Sequence, residues 1–229
     1  MKMTFADHII RFNHELTFTG SLPRGIRVMN PFAENPDILA VTEKFYRKFY
    51  DDSRPRKLIL GINPGRFGAG TTGIPFTDTK RLRNKCGISA DIPETHEPSS
   101  VFVYDVIERY GGVGPFYGRY YINSISPLGF LQQNKRGNWV NCNYYDHHKL
   151  YQAMENFMIA SLRKQISFGL DTTTCYVLGK KNARFLGRIN ARENLFGSMV
   201  VMDHPRYIVQ YRAKYKQEYI RDYLEKLAL

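Results

Sequence analysis

The sequence predicts an α/β fold, a three-layer αβα sandwich with a short, mostly parallel central sheet. Three observations predict it. Four short apolar runs, at 57–62, 120–122, 175–178 and 199–202, are each bounded by polar or Gly/Pro punctuation, as strands buried on both faces are. Helical apolar patterns separate these runs. Strands alternating with helices imply βαβ crossovers, and so helices on both faces of a parallel sheet. No repeat, low-complexity tract or linker divides the 229 residues, so one domain over 1–229 is expected. A chain of this size buries roughly 70% of its unfolded surface and needs no staples.

The elements follow in order. A first helix spans about 4–16, where Thr4 and Asp7 have the spacing of a capping box. A second opens at Asn35-Pro36, an N-cap residue before a proline suited to the first helical position. Its Ile38, Val41, Phe45 and Phe49 then share one face. The strand at 57–62 leads into the stretch GINPGRFGAGTTGIPF. A helix at 101–110 stops at Gly111-Gly112 before the strand at 120–122. Helices at about 146–168, 182–192 and 208–227 complete the alternation.

Composition narrows the function. A net charge of +12, with 33 Lys and Arg against 21 Asp and Glu, points to a polyanionic partner. That partner is nucleic acid before it is a membrane surface; a basic enzyme without such a partner is the plain alternative. Cys86, Cys142 and Cys175 are far apart and show no C-x-x-C spacing. This argues against a disulfide framework, a structural zinc or an iron–sulfur cluster. Neither a metal nor another cofactor is expected. Without a signal segment or a bilayer-length apolar run, the chain reads as cytoplasmic. A monomer is expected.

In an open parallel sheet, ligands bind beyond the carboxyl ends of the strands. The residues at those predicted exits are Asn63-Pro64-Gly65, Asn123-Ser124, Gly179-Lys180-Lys181 and Asp203-His204-Pro205. Two carboxamides, a histidine and a basic cluster are donors and orienters, not strong bases. An asparagine can read an amide edge or hold a water, but it cannot take that water's proton at neutral pH. Such a site suits a reaction governed by leaving-group stabilisation. Hydrolysis of the glycosidic bond to a uracil-like base is one, with an aromatic ring holding the base by stacking. The glycine-rich stretch itself carries neither a P-loop nor a dinucleotide fingerprint.

At this point the residues carry a resemblance. Gly61-Ile-Asn-Pro-Gly-Arg-Phe-Gly68, followed by Thr72-Gly-Ile-Pro-Phe76, resembles the first motif of the uracil-DNA glycosylase superfamily. It is most similar to that of the single-strand-selective monofunctional uracil-DNA glycosylase family. His204-Pro205 resembles the start of the second motif, and order and spread agree from about 57 to 210. The resemblance implies that Asn63 positions the attacking water and that His204 donates to the charge developing on the base. It implies further that Gly65 leaves the pocket open beside C5, and that Phe67 and Phe76 belong to the base pocket, with Phe76 stacking on the base. Asn123 and Ser124 compete for the base-reading position. Counting back from Pro127 selects Ser124, while the carboxamide, which matches both N3–H and O4 of uracil, favours Asn123.

The second motif departs from the family pattern. His204-Pro-Arg-Tyr-Ile208 replaces the usual His-Pro-Ser-Pro, so Arg206 and Tyr207 become the candidates for filling the vacated stack. Lys180, Arg184, Arg188 and Arg192 recur every fourth residue on one helix face, with Lys181 beside them. Lys180, Lys181 and Arg184 are the candidates for tracking phosphates. The expected activity is monofunctional excision of uracil, and of other deaminated bases such as hypoxanthine and xanthine, from single- or double-stranded DNA by base flipping, which initiates base excision repair. A non-catalytic reader of damaged DNA on the same fold, or an enzyme acting on free nucleosides, are the alternatives.

Overall fold

A computed structural model describes residues 3–228. Met1, Lys2 and Leu229, the outermost residues of the expected 1–229 domain, lie outside the described residues. In chain order the elements are α1 (Phe5–Glu15), β1 (Ile26–Met29), α2 (Pro31–Glu34), α3 (Pro36–Tyr50), β2 (Arg56–Gly61), α4 (Ala69–Thr72), α5 (Thr79–Asn84) and α6 (Pro98–Arg109). Then come α7 (Val113–Arg119), β3 (Tyr120–Ser124), β4 (Gly129–Gln133), β5 (Trp139–Cys142), α8 (His148–Ile166), β6 (Leu170–Leu178), α9 (Lys180–Glu193), β7 (Ser198–Met202), α10 (Pro205–Tyr211) and α11 (Lys216–Leu227).

The central sheet has the order β3-β2-β6-β7, and every neighbouring pair is parallel. Its register brings the strand ends level. Gly61 pairs with Ser124, and Leu178 pairs with Met202. Helices cover both faces. On one, Tyr121 and Asn123 of β3 meet Phe5 of α1 and Gln165 of α8. On the other, Ile122 packs among Val103 and Val106 of α6, Phe116 of α7 and Leu227 of α11. This is the three-layer arrangement read from the sequence. Among the described residues no helix is long and apolar enough to cross a membrane.

Local chemistry explains the boundaries. The capping box at α1 is complete: Asp7 N donates to Thr4 Oγ1 at 3.2 Å and Thr4 N to Asp7 Oδ2 at 2.7 Å. Asn35 caps α3 by accepting from Asp37 N at 2.9 Å. Where β2 begins, the fully buried Arg56 guanidinium donates to both oxygens of Asp52, at 2.6 and 3.0 Å, and to the Tyr117 carbonyl at 3.1 Å. Those bonds satisfy a charge that burial would otherwise make very costly.

Several sequence expectations need correction. The strand expected to end at Ile122 runs on to Ser124, so Asn123 and Ser124 lie within β3, not beyond it. The helix expected at 208–227 is two helices, because Arg212 leaves helical geometry (φ −130°, ψ 21°) before a short 3₁₀ turn at 213–215. The helix expected at 101–110 starts earlier, at Pro98, with Glu97 in the N-cap position. A second sheet lies beyond those expectations. The strands β1, β4 and β5 form an antiparallel three-stranded sheet in the order β1-β4-β5. Each is short, and β5 is half exposed, so none carries the apolar run that marks the central strands.

Candidate active site at the strand exits

A cavity of about 780 Å³ opens at the carboxyl ends of the central strands. Asn63, Gly65, Phe67, Phe76, Ser124, His204 and Arg206 all line it. The small antiparallel sheet supplies its far wall through Val140 and Asn141, with Asn143 just beyond. The connection after β2 is therefore held between two sheets, and Arg66 N donates to Asn141 Oδ1 at 3.3 Å.

Asn63 is oriented by the backbone. Its Oδ1 accepts from Tyr144 N at 3.1 Å. Its Nδ2 donates to the carbonyls of Cys142, at 3.2 Å, and Pro64, at 3.3 Å. The amide cannot flip without losing these bonds, and one lone pair of Oδ1 stays free for a water. Tyr144 is fixed in turn: its buried hydroxyl donates to Asn182 Oδ1 at 2.8 Å. Asn182 Nδ2 points to the carbonyls of Gly61, at 3.1 Å, and Leu178, at 3.3 Å. Asn182 thus joins the ends of β2 and β6 to the group that holds Asn63. Neither Tyr144 nor Asn182 stands out in the sequence, since both reach the site only through folding.

Phe76 lies against the end of β2. A Cβ on Gly61 would stand 3.0 Å from the ring, so glycine there is what lets the ring approach the strand. Phe76 adopts φ 53°, a left-handed conformation that is uncommon for an aromatic residue. Its ring centroid is 5.8 Å from that of His204. Phe67 stands at the rim, 57% exposed, with the Arg66 guanidinium 5.3 Å from its ring centroid. Gly65 leaves a gap in the wall, because a Cβ there would meet nothing nearer than Asn141 Nδ2 at 3.7 Å.

His204 caps α10. Its Nδ1 accepts from Arg206 N at 3.1 Å, so in the neutral ring the proton sits on Nε2. Burial, helped by the Arg206 charge, pushes its pKa down to about 4. The ring is therefore a neutral donor at physiological pH.

Asn123 is not part of the cavity. Successive side chains of a strand face opposite ways, and this one faces the core. Its Nδ2 donates to Tyr121 Oη and to Gln165 Oε1, both at 2.7 Å, and its Oδ1 accepts from Ser124 N at 2.8 Å. Ser124 is the member of the pair that reaches the cavity. Of the residues singled out for DNA contact, Arg206 lines the cavity, while Lys180, Lys181, Arg184 and Tyr207 lie outside it. Lys180 lies 3.9 Å from Asp203, and Lys181 lies 3.7 Å from Asp146. Tyr207 lies tilted at 42° to Tyr211, with ring centroids 5.8 Å apart, and carries Arg212 over its ring at 5.6 Å.

Among the lining residues that escape the sequence reading, one carries an ionisable group with a shifted pKa. Glu97 faces the cavity, and burial together with the nearby Asp78 carboxylate pushes its pKa up to about 7. The signal that could have found it is the Glu97-Pro98 pair, which marks a helix entry at the cavity edge.

A parallel sheet whose exits converge on an oriented asparagine, an aromatic ring and a neutral histidine defines a class, and the family comparison gives that class its name. The model of the Uracil DNA glycosylase superfamily matches residues 47–228, and the chain belongs to that superfamily. Its structure is similar to the crystal structure of wild-type SMUG2 from Pedobacter heparinus. The two share 48% sequence identity and a TM-score of 0.96, over 99% of this chain and 98% of that one. Among curated proteins, none matches.

Proposed function

We propose that this chain is a monofunctional DNA glycosylase that flips uracil, and deaminated purines such as hypoxanthine and xanthine, into the cavity and hydrolyses the glycosidic bond. The observation that carries this is the pairing of an oriented Asn63 carboxamide with a neutral His204 donor in one cavity. Superfamily membership supports it.

The chemistry follows from those groups. Phosphates engage Arg206 and the lysines at the start of α9. The extruded base enters beside Gly65 and stacks on Phe76. Ser124 Oγ reads its edge with one hydrogen bond. As C1′–N stretches, charge flows into the base, and Nε2–H of His204 stabilises it. The water on the free lone pair of Asn63 Oδ1 adds to the oxocarbenium carbon. Asn63 places that water but does not deprotonate it, so the step depends on a well-developed cation. Among the described residues no lysine lines the cavity, which supports excision without a Schiff base and so without strand cleavage.

The test uses excess protein and a labelled oligonucleotide carrying one uracil, followed by hot alkali. Cleavage only after alkali is expected. Cleavage without alkali would overturn the monofunctional assignment, and no cleavage on any deaminated base in either strand form would overturn the enzyme.

A further inference from the structure

The proposed mechanism leaves a carboxyl group of the cavity unused. Glu97 projects its carboxyl over the loop after β2, and a Cβ built on Gly68 would overlap Glu97 Oε2. Glycine at 68 is therefore what makes room for this carboxyl at the cavity wall. The Glu97 backbone is pinned on both sides. Its N–H donates to Asp78 Oδ2 at 2.7 Å, and its carbonyl accepts from Ser100 N and Oγ, each at 3.0 Å. The side chain itself accepts no hydrogen bond from any described residue, and Glu97 lines the cavity with its carboxyl beside Gly68.

We propose that Glu97 is the acid through which deaminated purines leave: as C1′–N9 breaks, its carboxyl O–H passes a proton to the free imidazole nitrogen of the purine. The proposal rests on the glycosylase assignment above. The bond's electron pair goes to the base, which departs neutral. Water adds to C1′ and releases one proton, which restores the Glu97 carboxyl, so atoms and charge balance. Uracil has no counterpart to that basic nitrogen, since its N1 is the glycosidic atom and its N3 bears a hydrogen. A proton donor at this wall therefore favours purines selectively.

The surrounding charges fit the role. Asp78 at the start of α5 opposes ionisation of Glu97, and Arg206 of α10 favours it, with burial tipping the balance toward the acid. Arg81 is occupied by Asp78 and by His96, at 3.0 and 2.9 Å, and makes no bond to Glu97. Arg66 and the neutral His204 line the same cavity. A phosphate bound by Arg206 would weaken the one cation that favours the carboxylate. Glu97 thus holds its proton near neutral pH, as an acid catalyst working at that pH should.

The test measures single-turnover excision of hypoxanthine and of uracil from matched oligonucleotides between about pH 5.5 and about pH 8.5. The variants are Glu97→Gln and Gly68→Ala; the second keeps the carboxyl but displaces it. In the native protein, the hypoxanthine-to-uracil rate ratio is expected to fall about tenfold per pH unit above about pH 7. Glu97→Gln lowers the ratio about 100-fold and removes its pH dependence, and Gly68→Ala moves it the same way. An unchanged ratio in Glu97→Gln, an equal loss on both bases, or rates that rise with pH would overturn the proposal; the last would make Glu97 a base. Uracil excision with no hypoxanthine excision at any pH overturns this inference alone. Absence of uracil excision as well overturns the glycosylase assignment beneath it.

Discussion

Tyr144 N–H donates to Asn63 Oδ1 at 3.1 Å across 81 positions of sequence. This bond sets which edge of the Asn63 carboxamide faces the cavity. It depends on a tyrosine whose hydroxyl is anchored on Asn182, which itself holds the ends of two central strands. The orientation of the Asn63 carboxamide is therefore a property of the sheet, not of the loop that carries it.

Tyr144→Phe removes the anchor and leaves Asn182 Oδ1 buried without a donor. A loss of about 1–2 kcal/mol in unfolding free energy is expected. The single-turnover rate should fall with little change in DNA affinity, because only the placement of Asn63 is disturbed. Denaturant unfolding, read beside uracil excision and DNA binding, checks this. An unchanged rate would show that Asn63 keeps its orientation without Tyr144.

Ser124 and Asn123 are neighbours whose side chains face opposite ways, one to the cavity and one to the core, and paired variants test what each does. Asn123→Ala breaks the core network with Tyr121 and Gln165, so a stability loss of about 1–3 kcal/mol is expected with the choice of base unaltered. Ser124→Ala leaves stability nearly unchanged and lowers the preference for uracil over an undamaged pyrimidine. Competition between oligonucleotides measures the preference. If Asn123→Ala changed the preference instead, the placement of the pair in the reaction would be reversed.

Much of the fold and part of the site are legible in the amino-acid sequence. The central strands announce themselves because burial on both faces requires continuous apolar runs, and the strand-exit rule then gathers Asn63, Gly65 and His204. The antiparallel sheet stays hidden because β1 and β5 are half exposed and carry Arg27 and Asn141. With it goes the second wall of the cavity. Chemistry alone favours Asn123, but a one-residue shift along a strand reverses a side chain, and hydrogen-bonding capacity does not reveal register. Glu97 is faint in the sequence, because a Glu-Pro helix entry does not reveal that its carboxyl is desolvated and lies against a glycine 29 positions earlier in the chain.

Gly65 marks the open side of the cavity. Its surroundings leave room for a Cβ, so Gly65→Tyr should fold normally while its ring occupies the path of the base. A loss of about 100-fold or more in excision is expected, with non-specific DNA binding retained. Thermal unfolding beside the excision assay separates occlusion from misfolding. Near-native excision would place base entry elsewhere.

His204 gives a pH signature. Its folded pKa near 4 lies below the 6.5 of an unperturbed histidine. Between those values the unfolded chain binds the extra proton and the folded chain does not, so stability falls as pH drops through this window. Uracil excision should show no loss assignable to imidazole protonation near the ordinary histidine pKa of 6.5. His204→Gln should cost about 100-fold in rate and flatten that part of the stability curve. An inflection near 6.5 in the native rate profile would mean that the imidazole titrates as if exposed.

Asp52 and Arg56 test the foundation of the strand that carries Asn63. The guanidinium is fully buried, and Asp52 is held well below the usual carboxylate range, first by its hydrogen bonds from Arg56. Because the folded pKa is depressed, this stabilisation is present above the unfolded value near 3.8 and is lost as pH falls through it toward the folded one. Asp52→Asn leaves Arg56 buried without a counter-charge, which should cost about 3 kcal/mol at neutral pH. It should also remove this contribution to acid unfolding. Chemical unfolding at about pH 7 and at about pH 3 decides the matter: equal losses at both values would show that charge pairing is not what Asp52 supplies.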